Sequence, residues 1–449
     1  MPRGRHMSIR RLIAPVRDLI QLRTRLRRLK TLRFPSPPPP VPRNAVDPDR
    51  LVHLPRYRPE VPGHAEIFLR DTQELFEPVH DDLVHWDACL GWLLRAQDVT
   101  KCGGFSAGYT FAHGWLPAYP ETTGYIIPTL WDAFALRGDD RFRKAAIAAT
   151  DWEIAIQLPG GATRAGYEGD PAGFWRDGPV PAAFNTGQVM QGWNRTFVET
   201  GESKYLDAAR RAADFLVDCI DDRGVFVKGL SPGPSSTTRA YYARAAYGLA
   251  WTGVLADDRR YVDVARRHLN WVIEQQRPNG WVSYASFDAK TADDNALTHP
   301  LAYVTEGLLE TGVLLEEPRY IDASRRTAAA LMHVCEKRGL FLPATLNPRL
   351  ESLDRYSCLP GNAQFACLWL RLGMMNSDLP MLNTGLKMVD WLKGVQSLEN
   401  ENPGIRGGLA GSWPIDGGYS VFSYVDWAAK FFADSLLLAR DARRRLSAS

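Results

Sequence analysis

The chain has 449 residues, 45% apolar and 23% charged, with 54 Lys and Arg against 51 Asp and Glu. That composition excludes wholesale disorder and a fibrous repeat, since it holds enough apolar surface to build a core. No run of about 18 uncharged apolar residues occurs, so no transmembrane helix is expected. The basic N-terminus lacks the apolar stretch and cleavage site of a secretory signal. Six scattered cysteines, Cys89, Cys102, Cys219, Cys335, Cys358 and Cys367, show neither C-x-x-C nor zinc spacing. They read as reduced thiols of a cytoplasmic protein, and neither a metal centre nor a cofactor is expected.

Charge is unevenly spread along the chain. Residues 1–33 hold eleven Arg or Lys and one acid, Asp18; their +10, set against +3 for the whole, leaves the remainder at −7. Ile9, Leu12, Ile13, Val16, Leu19, Ile20, Leu26 and Leu29 recur there at helical spacing. Such a basic amphipathic arm suits a peripheral contact with an anionic membrane or a partner; the plainer reading is a solvated tail. Nucleic acid is not an expected partner, because Phe34 is the arm's one aromatic and the body is acidic. Residues 34–48 form a Pro-rich linker and 49–80 a lead-in to the body, which spans 81–442.

The body repeats. Phe142, Tyr205, Tyr261, Tyr320 and Met381 each follow an acidic turn, at separations of 63, 56, 59 and 61 residues. Ten residues after these anchors stand Trp152, Phe215, Trp271, Ala330 and Trp391; fifteen after stand Gln157, Ile220, Gln276, Cys335 and Gln396. Trp92 and Gln97 keep the same spacing of five, which makes a sixth copy. Each copy has an Ala- and Arg-rich amphipathic helix, a Gly-rich loop, and a second helix that is apolar all round. The second helices are expected over 124–135, 187–198, 240–251, 301–314, 363–372 and 427–438. A half-polar helix paired six times with a buried one implies an outer and an inner ring. The predicted fold is therefore all-α, an (α/α)6 toroid of six helical hairpins, closed where the first outer helix meets the last inner helix.

On this repeat the sequence resembles the six-hairpin glycosidase superfamily. That superfamily includes unsaturated glucuronyl hydrolases, sugar epimerases and polysaccharide lyases. The resemblance implies a carbohydrate-active toroid with an oligo- or polysaccharide substrate; no stretch matches a member's catalytic motif, so no residue role is carried across.

The toroid brings the outer-to-inner loops and the inner-helix N-termini to one mouth. Candidates there are Glu121, Tyr125, Asn185, Gln188, Arg239, Tyr241, Tyr242, Arg244, His299, Asn362 and Asp426, with Glu306 two turns below His299. Fourteen Trp and sixteen Tyr, many in these loops, suit stacking on sugar faces. Thr122, Thr186, Thr298 and Ser357 read first as helix caps. The loop 402–419, with six glycines, is expected over the mouth: Arg406 would pair a substrate carboxylate, and Trp413 and Tyr419 would line the wall, unless the loop is only a rigid turn closing the ring.

Several chemistries compete for this set. Hydrolysis of a glycan, expected to be acidic, would use Glu121, Asp426 and Glu306 as acid and base. A polysaccharide lyase or uronate C5-epimerase would use His299 and Tyr242, with Asn and Arg neutralising the enolate. Sugar 2-epimerases use two inner-ring histidines, and only His299 fits. A non-catalytic glycan-binding scaffold would keep the aromatics alone. A terpene-cyclase-like toroid is suggested by residues 275–281 but lacks an Asp-rich acid motif. Membrane-proximal action rests on the arm.

Overall fold

In a computed structural model, residues 56–170, 178–230, 238–339 and 341–447 are described. The expected basic arm and Pro-rich linker lie outside them. After a lead-in helix, α1 (His64–Thr72), twelve helices alternate between two rings. The outer ring is α2 (Asp82–Asp98), α4 (Asp140–Ala155), α6 (Ser203–Cys219), α8 (Arg259–Glu274), α10 (Pro318–Arg338) and α12 (Leu379–Val395). The inner ring is α3 (Pro120–Arg137), α5 (Ala183–Thr200), α7 (Ala243–Ala256), α9 (Thr298–Leu314), α11 (Leu359–Asn376) and α13 (Asp426–Ser447). Inner helices contact one another in order around the ring, with α13 returning to α3; each packs on the outer helix that follows it, and α13 packs on α2. This is the (α/α)6 toroid.

The repeat columns have physical causes. The first five inner helices each end at a left-handed residue, Gly138, Gly201, Asp257, Glu316 or Ser377. The next residue, Asp139, Glu202, Asp258, Glu317 or Asp378, occupies the N-cap of the outer helix. A left-handed residue followed by a capping acid turns the chain back in the fewest residues. The anchor rings then join neighbouring outer helices: Tyr205 donates to Asp151 at 3.1 Å, Tyr261 to Asp214 at 2.8 Å and Tyr320 to the Asn270 side chain at 2.8 Å. Where the column holds Gln, its side chain fastens the loop. Gln97 Nε2 donates to the carbonyls of Gly103 and Ala145, and Gln157 Nε2 to those of Gly161 and Ala208. Gln276 and Gln396 do the same at their own loops.

Inner helices approach closely where side chains vanish. A Cβ on Gly187 would lie 2.4 Å from the Ala245 Cα, so nothing larger fits between α5 and α7.

Short antiparallel pieces tie the mouth loops. β1 (Gly108–Thr110) lies between β2 (Gly114–Trp115) and β7 (Ser423–Val425), with Tyr109 opposite both Trp115 and Tyr424. β3 (Ala296–Leu297) pairs with β4 (Thr345–Leu346), and β5 (Ser357–Cys358) with β6 (Ser412–Trp413). The β1–β7 pairing joins the first loop to the last, so it fastens the seam of the ring. Helix α1 lies over that seam: Arg70 donates to the Val395 carbonyl at 3.0 Å and Asp71 accepts the Ile415 N–H at 2.8 Å.

Two local expectations are corrected. The third inner helix opens with a 3-10 turn (Ala240–Tyr242), and α7 proper begins at Ala243. The inner helices α3, α5, α9 and α11 carry no side-chain cap. Their hydroxyls reach neighbouring chain instead: Thr122 to Asp426, Thr186 to the Thr163 N–H, Thr298 to the Ala344 carbonyl and Ser357 to Asn362. Among the described residues no helix is long and apolar enough to cross a membrane. The six cysteines are unpaired thiols.

Candidate active site

The first turn of α3 carries Glu121, and the first residue of α13 is Asp426, on the adjacent inner helix. Thr122 joins them: its Oγ1 donates to Asp426 Oδ2 at 2.6 Å. Tyr119, just before α3, donates its hydroxyl to Glu121 Oε2 at 2.7 Å. Glu121 reaches solvent through the mouth, whereas Asp426 is wholly buried behind it. Burial pushes the Glu121 carboxyl up to about 7, against the opposing pull of the Tyr119 hydrogen bond and the Arg244 charge. Burial also holds Asp426 well above the usual carboxylate range, and the neighbouring Glu121 charge adds to it.

Aromatic rings wall the opening. Trp427 donates its indole N–H to the Tyr419 hydroxyl at 3.0 Å, and its ring meets Tyr119 edge-on at 6.4 Å. Tyr119 in turn meets Tyr167 at 5.7 Å. Tyr119, Tyr167, Tyr419 and Trp427 are all partly exposed. On the far wall Phe287 and Tyr419 approach the His299 ring, at 5.7 and 6.0 Å.

Below lies a buried polar chain. Gln191 Nε2 donates to Gln188 Oε1 at 2.7 Å, and Arg244 Nε donates to the same oxygen at 3.0 Å. Arg244 forms an ion pair with Glu306, whose carboxylate also accepts from Gln364 Nε2 at 3.1 Å. Gln364 Oε1 meets His299 Nδ1, which ends the chain. The Arg244 guanidinium lies 5.4–5.9 Å from the ring centres of Phe431, Tyr303 and Tyr125, so cation–π contacts supplement the ion pair. Burial pushes the His299 pKa down to about 3, so its ring is neutral near pH 7 and a weak base.

No protein-family model matches this chain, and no curated protein sequence matches it. Solved structures do. An unsaturated glucuronyl hydrolase specific for heparin is 14% identical over 80% of this chain and 97% of its own, at TM-score 0.64. An unsaturated glucuronyl hydrolase from Bacillus sp. GL1 is 16% identical over 78% and 96%, at 0.60. Cellobiose 2-epimerase from Spirochaeta thermophila is 15% identical over 86% and 97%, at 0.61. The chain has the six-hairpin glycosidase fold.

Within this six-hairpin toroid the sequence candidates divide into three groups. Glu121, Asp426 and Tyr419 gather at the mouth. Tyr125, Gln188, Arg244, His299 and Glu306 form the layer beneath, where the Tyr303 hydroxyl reaches that of Tyr125 at 3.4 Å. The others stand apart. Tyr242 is buried among Phe184, Phe226 and Tyr241, and Tyr241 packs on Phe184 and Phe287. Asn362 is consumed by the loop before α11: it accepts the Leu342 N–H and donates to the Leu342 and Cys358 carbonyls. Trp413 stacks with Phe76 and meets Trp391 and Phe341, on the outer-ring side. Arg406 is exposed beside Arg95 of α2, and Arg95 donates to its carbonyl. That loop is fastened to the end of α2, where Arg95 also donates to the Pro403 carbonyl at 3.2 Å. Arg239 and Asn185 are buried at the starts of their segments.

The sequence candidates omitted Tyr119, Thr122, Trp427, Tyr303 and Gln364. Two had a readable signal. Tyr303 lies one helical turn after His299 on the same face, and Trp427 directly follows Asp426. Gln364 and Thr122 matter through partners on other helices, which no local pattern announces.

Proposed function

We propose that this chain is a carbohydrate-active enzyme that cleaves a glycan by glycosidase-type acid/base catalysis at Glu121. The observation that carries this reading is the carboxyl of a partly exposed Glu121, raised by burial to about 7 and set among partly exposed Tyr and Trp rings. A carboxyl of that pKa is half protonated near neutrality, which suits protonation of a leaving glycosidic oxygen and later removal of a proton from water. Asp426, behind it, is raised by burial and by the Glu121 charge and is held by the Thr122 hydroxyl. Tyr119 and Thr122 fix the two carboxyls. Glu306, committed to Arg244 and Gln364, positions the layer beneath and is not itself the proton donor. The aromatic walls supply stacking surface for a sugar ring. The carbohydrate enzymes that share the fold support the substrate class.

A second reading, lyase or uronate epimerase, is favoured by the neutral His299 ring in the same enclosure. Its low basicity weighs against it as the proton abstractor. A panel of polysaccharides and oligosaccharides separates these outcomes when read for new reducing ends and for ultraviolet absorbance of an unsaturated uronate. Reducing ends alone, lost in Glu121→Gln, support the hydrolase; ends with absorbance indicate a lyase. Binding without either, with no solvent deuterium uptake into the sugar, indicates a non-catalytic scaffold.

Residues 1–33 are proposed to bring the enzyme to an anionic membrane surface. Deleting residues 1–40 then abolishes partition onto vesicles that contain an anionic lipid, and unchanged partition refutes it.

A further inference from the structure

His299 is held with one particular ring nitrogen toward the protein, and that leaves the other a definite task. Resting on the carbohydrate reading of the site, we propose that His299 neither gives nor takes a proton. Its Nε2 accepts a hydrogen bond from one hydroxyl of the bound sugar, and Glu306, acting through Gln364, positions the ring for that contact.

The orientation runs outward from a buried charge. Glu306 is paired with Arg244 and both are nearly inaccessible, so its carboxylate only accepts hydrogen bonds. The Gln364 group that faces this carboxylate at 3.1 Å is therefore the amide Nε2, which leaves Oε1 toward His299. The reverse setting of the amide would face one acceptor with another in a buried place, at the cost of both hydrogen bonds. An amide oxygen cannot donate, so His299 Nδ1 carries the ring hydrogen. Burial keeps the ring neutral, and on a neutral ring the second nitrogen, Nε2, holds a lone pair and no hydrogen.

That lone pair is the open end of the chain. Nε2 has no hydrogen-bond partner among the described residues. His268 makes the contrast: its Nε2 also lacks a partner but is sealed in the interior, whereas His299 Nε2 is not among the sealed atoms. Rings surround His299, with centres at 4.4 Å for Tyr303, 5.7 Å for Phe287, 6.0 Å for Tyr419 and 6.1 Å for Phe431. The Tyr303 hydroxyl is turned to Tyr125, and that of Tyr419 accepts from the Trp427 indole. Tyr419 is one of the partly exposed rings of the opening, so His299 stands one ring behind the wall that a sugar meets. An acceptor enclosed by rings calls for a donor from the ligand; a sugar hydroxyl supplies one, and a glycosidic or ring oxygen does not.

The test uses the full chain labelled with 15N-histidine, with His299 assigned by the signals missing from His299→Phe. In the free chain near neutral pH, His299 is expected to show a protonated Nδ1 and a bare Nε2; a hydrogen on Nε2 overturns the inference. Gln364→Leu should mix the two forms, and an unmixed ring in that folded variant overturns the positioning by Gln364 and Glu306. Cello-, malto-, xylo- and manno-oligosaccharides, oligogalacturonates and chondroitin disaccharides are then titrated in, with bond cleavage followed in parallel. A sugar that binds should move the Nε2 resonance, and its affinity should fall about three- to tenfold in His299→Phe. His299→Gln should regain part of that loss, because its amide oxygen can accept in the same place. Among the monodeoxyfluoro derivatives of that sugar, one should weaken binding to the parent yet cost nothing further in His299→Phe, since fluorine cannot donate. Binding that leaves Nε2 unmoved, with equal fluorine costs in both proteins, overturns the inference and leaves the carbohydrate reading intact. Cleavage abolished in His299→Phe and His299→Gln alike, at unchanged affinity, overturns it in favour of an acid–base role. Failure of every series to bind refutes the carbohydrate reading itself, and the inference with it.

Discussion

Glu121 shows how a single position acquires chemistry from its surroundings. Its carboxyl is raised by burial and held back by a hydrogen bond from Tyr119 and the charge of Arg244. The proton-donating form dominates below about 7, so activity that needs it falls as pH rises through that value. Glu121→Gln should lower kcat by about 10²–10⁴-fold, measured on whichever glycan the panel identifies. Tyr119→Phe removes a bond to the ionised form, so the alkaline limb of the pH–rate profile should move upward by about one unit. A downward move would mean that Tyr119 does not hold Glu121 in solution. The same shift has a stability consequence. The folded state binds this proton more tightly than the unfolded chain, so its contribution is full below the ordinary value of 4.5 and is lost as pH rises to about 7. The slope of melting temperature against pH across that window should therefore be shallower in Glu121→Gln than in the parent.

Between elements, hydrogen bonds from side chain to backbone do the fastening. Gln276 Nε2 donates to the Ala323 carbonyl and to Thr327 Oγ1, so one side chain joins the end of α8 to α10. Gln276→Ala should cost about 1–3 kcal/mol in chemical denaturation, because it leaves a buried acceptor unpaired. The inner ring carries a stiffer constraint. Arg244 and Glu306 are both nearly inaccessible, with side-chain exposures of 6% and 8%. Glu306→Ala should cost about 3–5 kcal/mol, since it strands the guanidinium, while replacing both partners with apolar residues should recover much of the loss. A double-variant loss equal to the sum of the two single losses would show that the pair has no coupled role. The sequence made α7 and α9 legible as buried helices, and even Arg244 and Glu306 as candidates. It could not show that they pair, because their separation of 62 residues is set by ring geometry.

At the scale of the molecule, a ring must close, and closure rests on residues far apart in the chain. Asp82 at the start of α2 bonds Lys393 of α12 and, at 3.1 Å, Arg443 of α13; Asp390 bonds both of these cations. Helix α1 overlies the same seam, with His64 stacked on Phe111 at 3.8 Å and the Asn402 side chain donating to the Pro62 carbonyl. Removing residues 1–79 should therefore lower the melting temperature of the toroid by several degrees and broaden its transition, as the β1–β7 pairing loses its cover. An unchanged sharp transition would show that the seam is self-sufficient.

The sequence by itself determined the architecture. A turn acid, an aromatic anchor and a Gln, repeated near every sixty residues, report contacts that a hairpin makes with its neighbour, and such contacts recur in most of the copies. Glu121 and Asp426 were legible as candidates for the same reason, since the period places helix starts at one mouth. Tertiary structure alone decided which candidates meet. It turned Arg406, Trp413 and Asn362 toward the outer ring and loops, and it joined Glu121 to Asp426 through Thr122 across the closing seam. Those choices depend on where the two ends of the ring come together, and a repeat pattern shared among the copies carries no information about the one place where the copies stop.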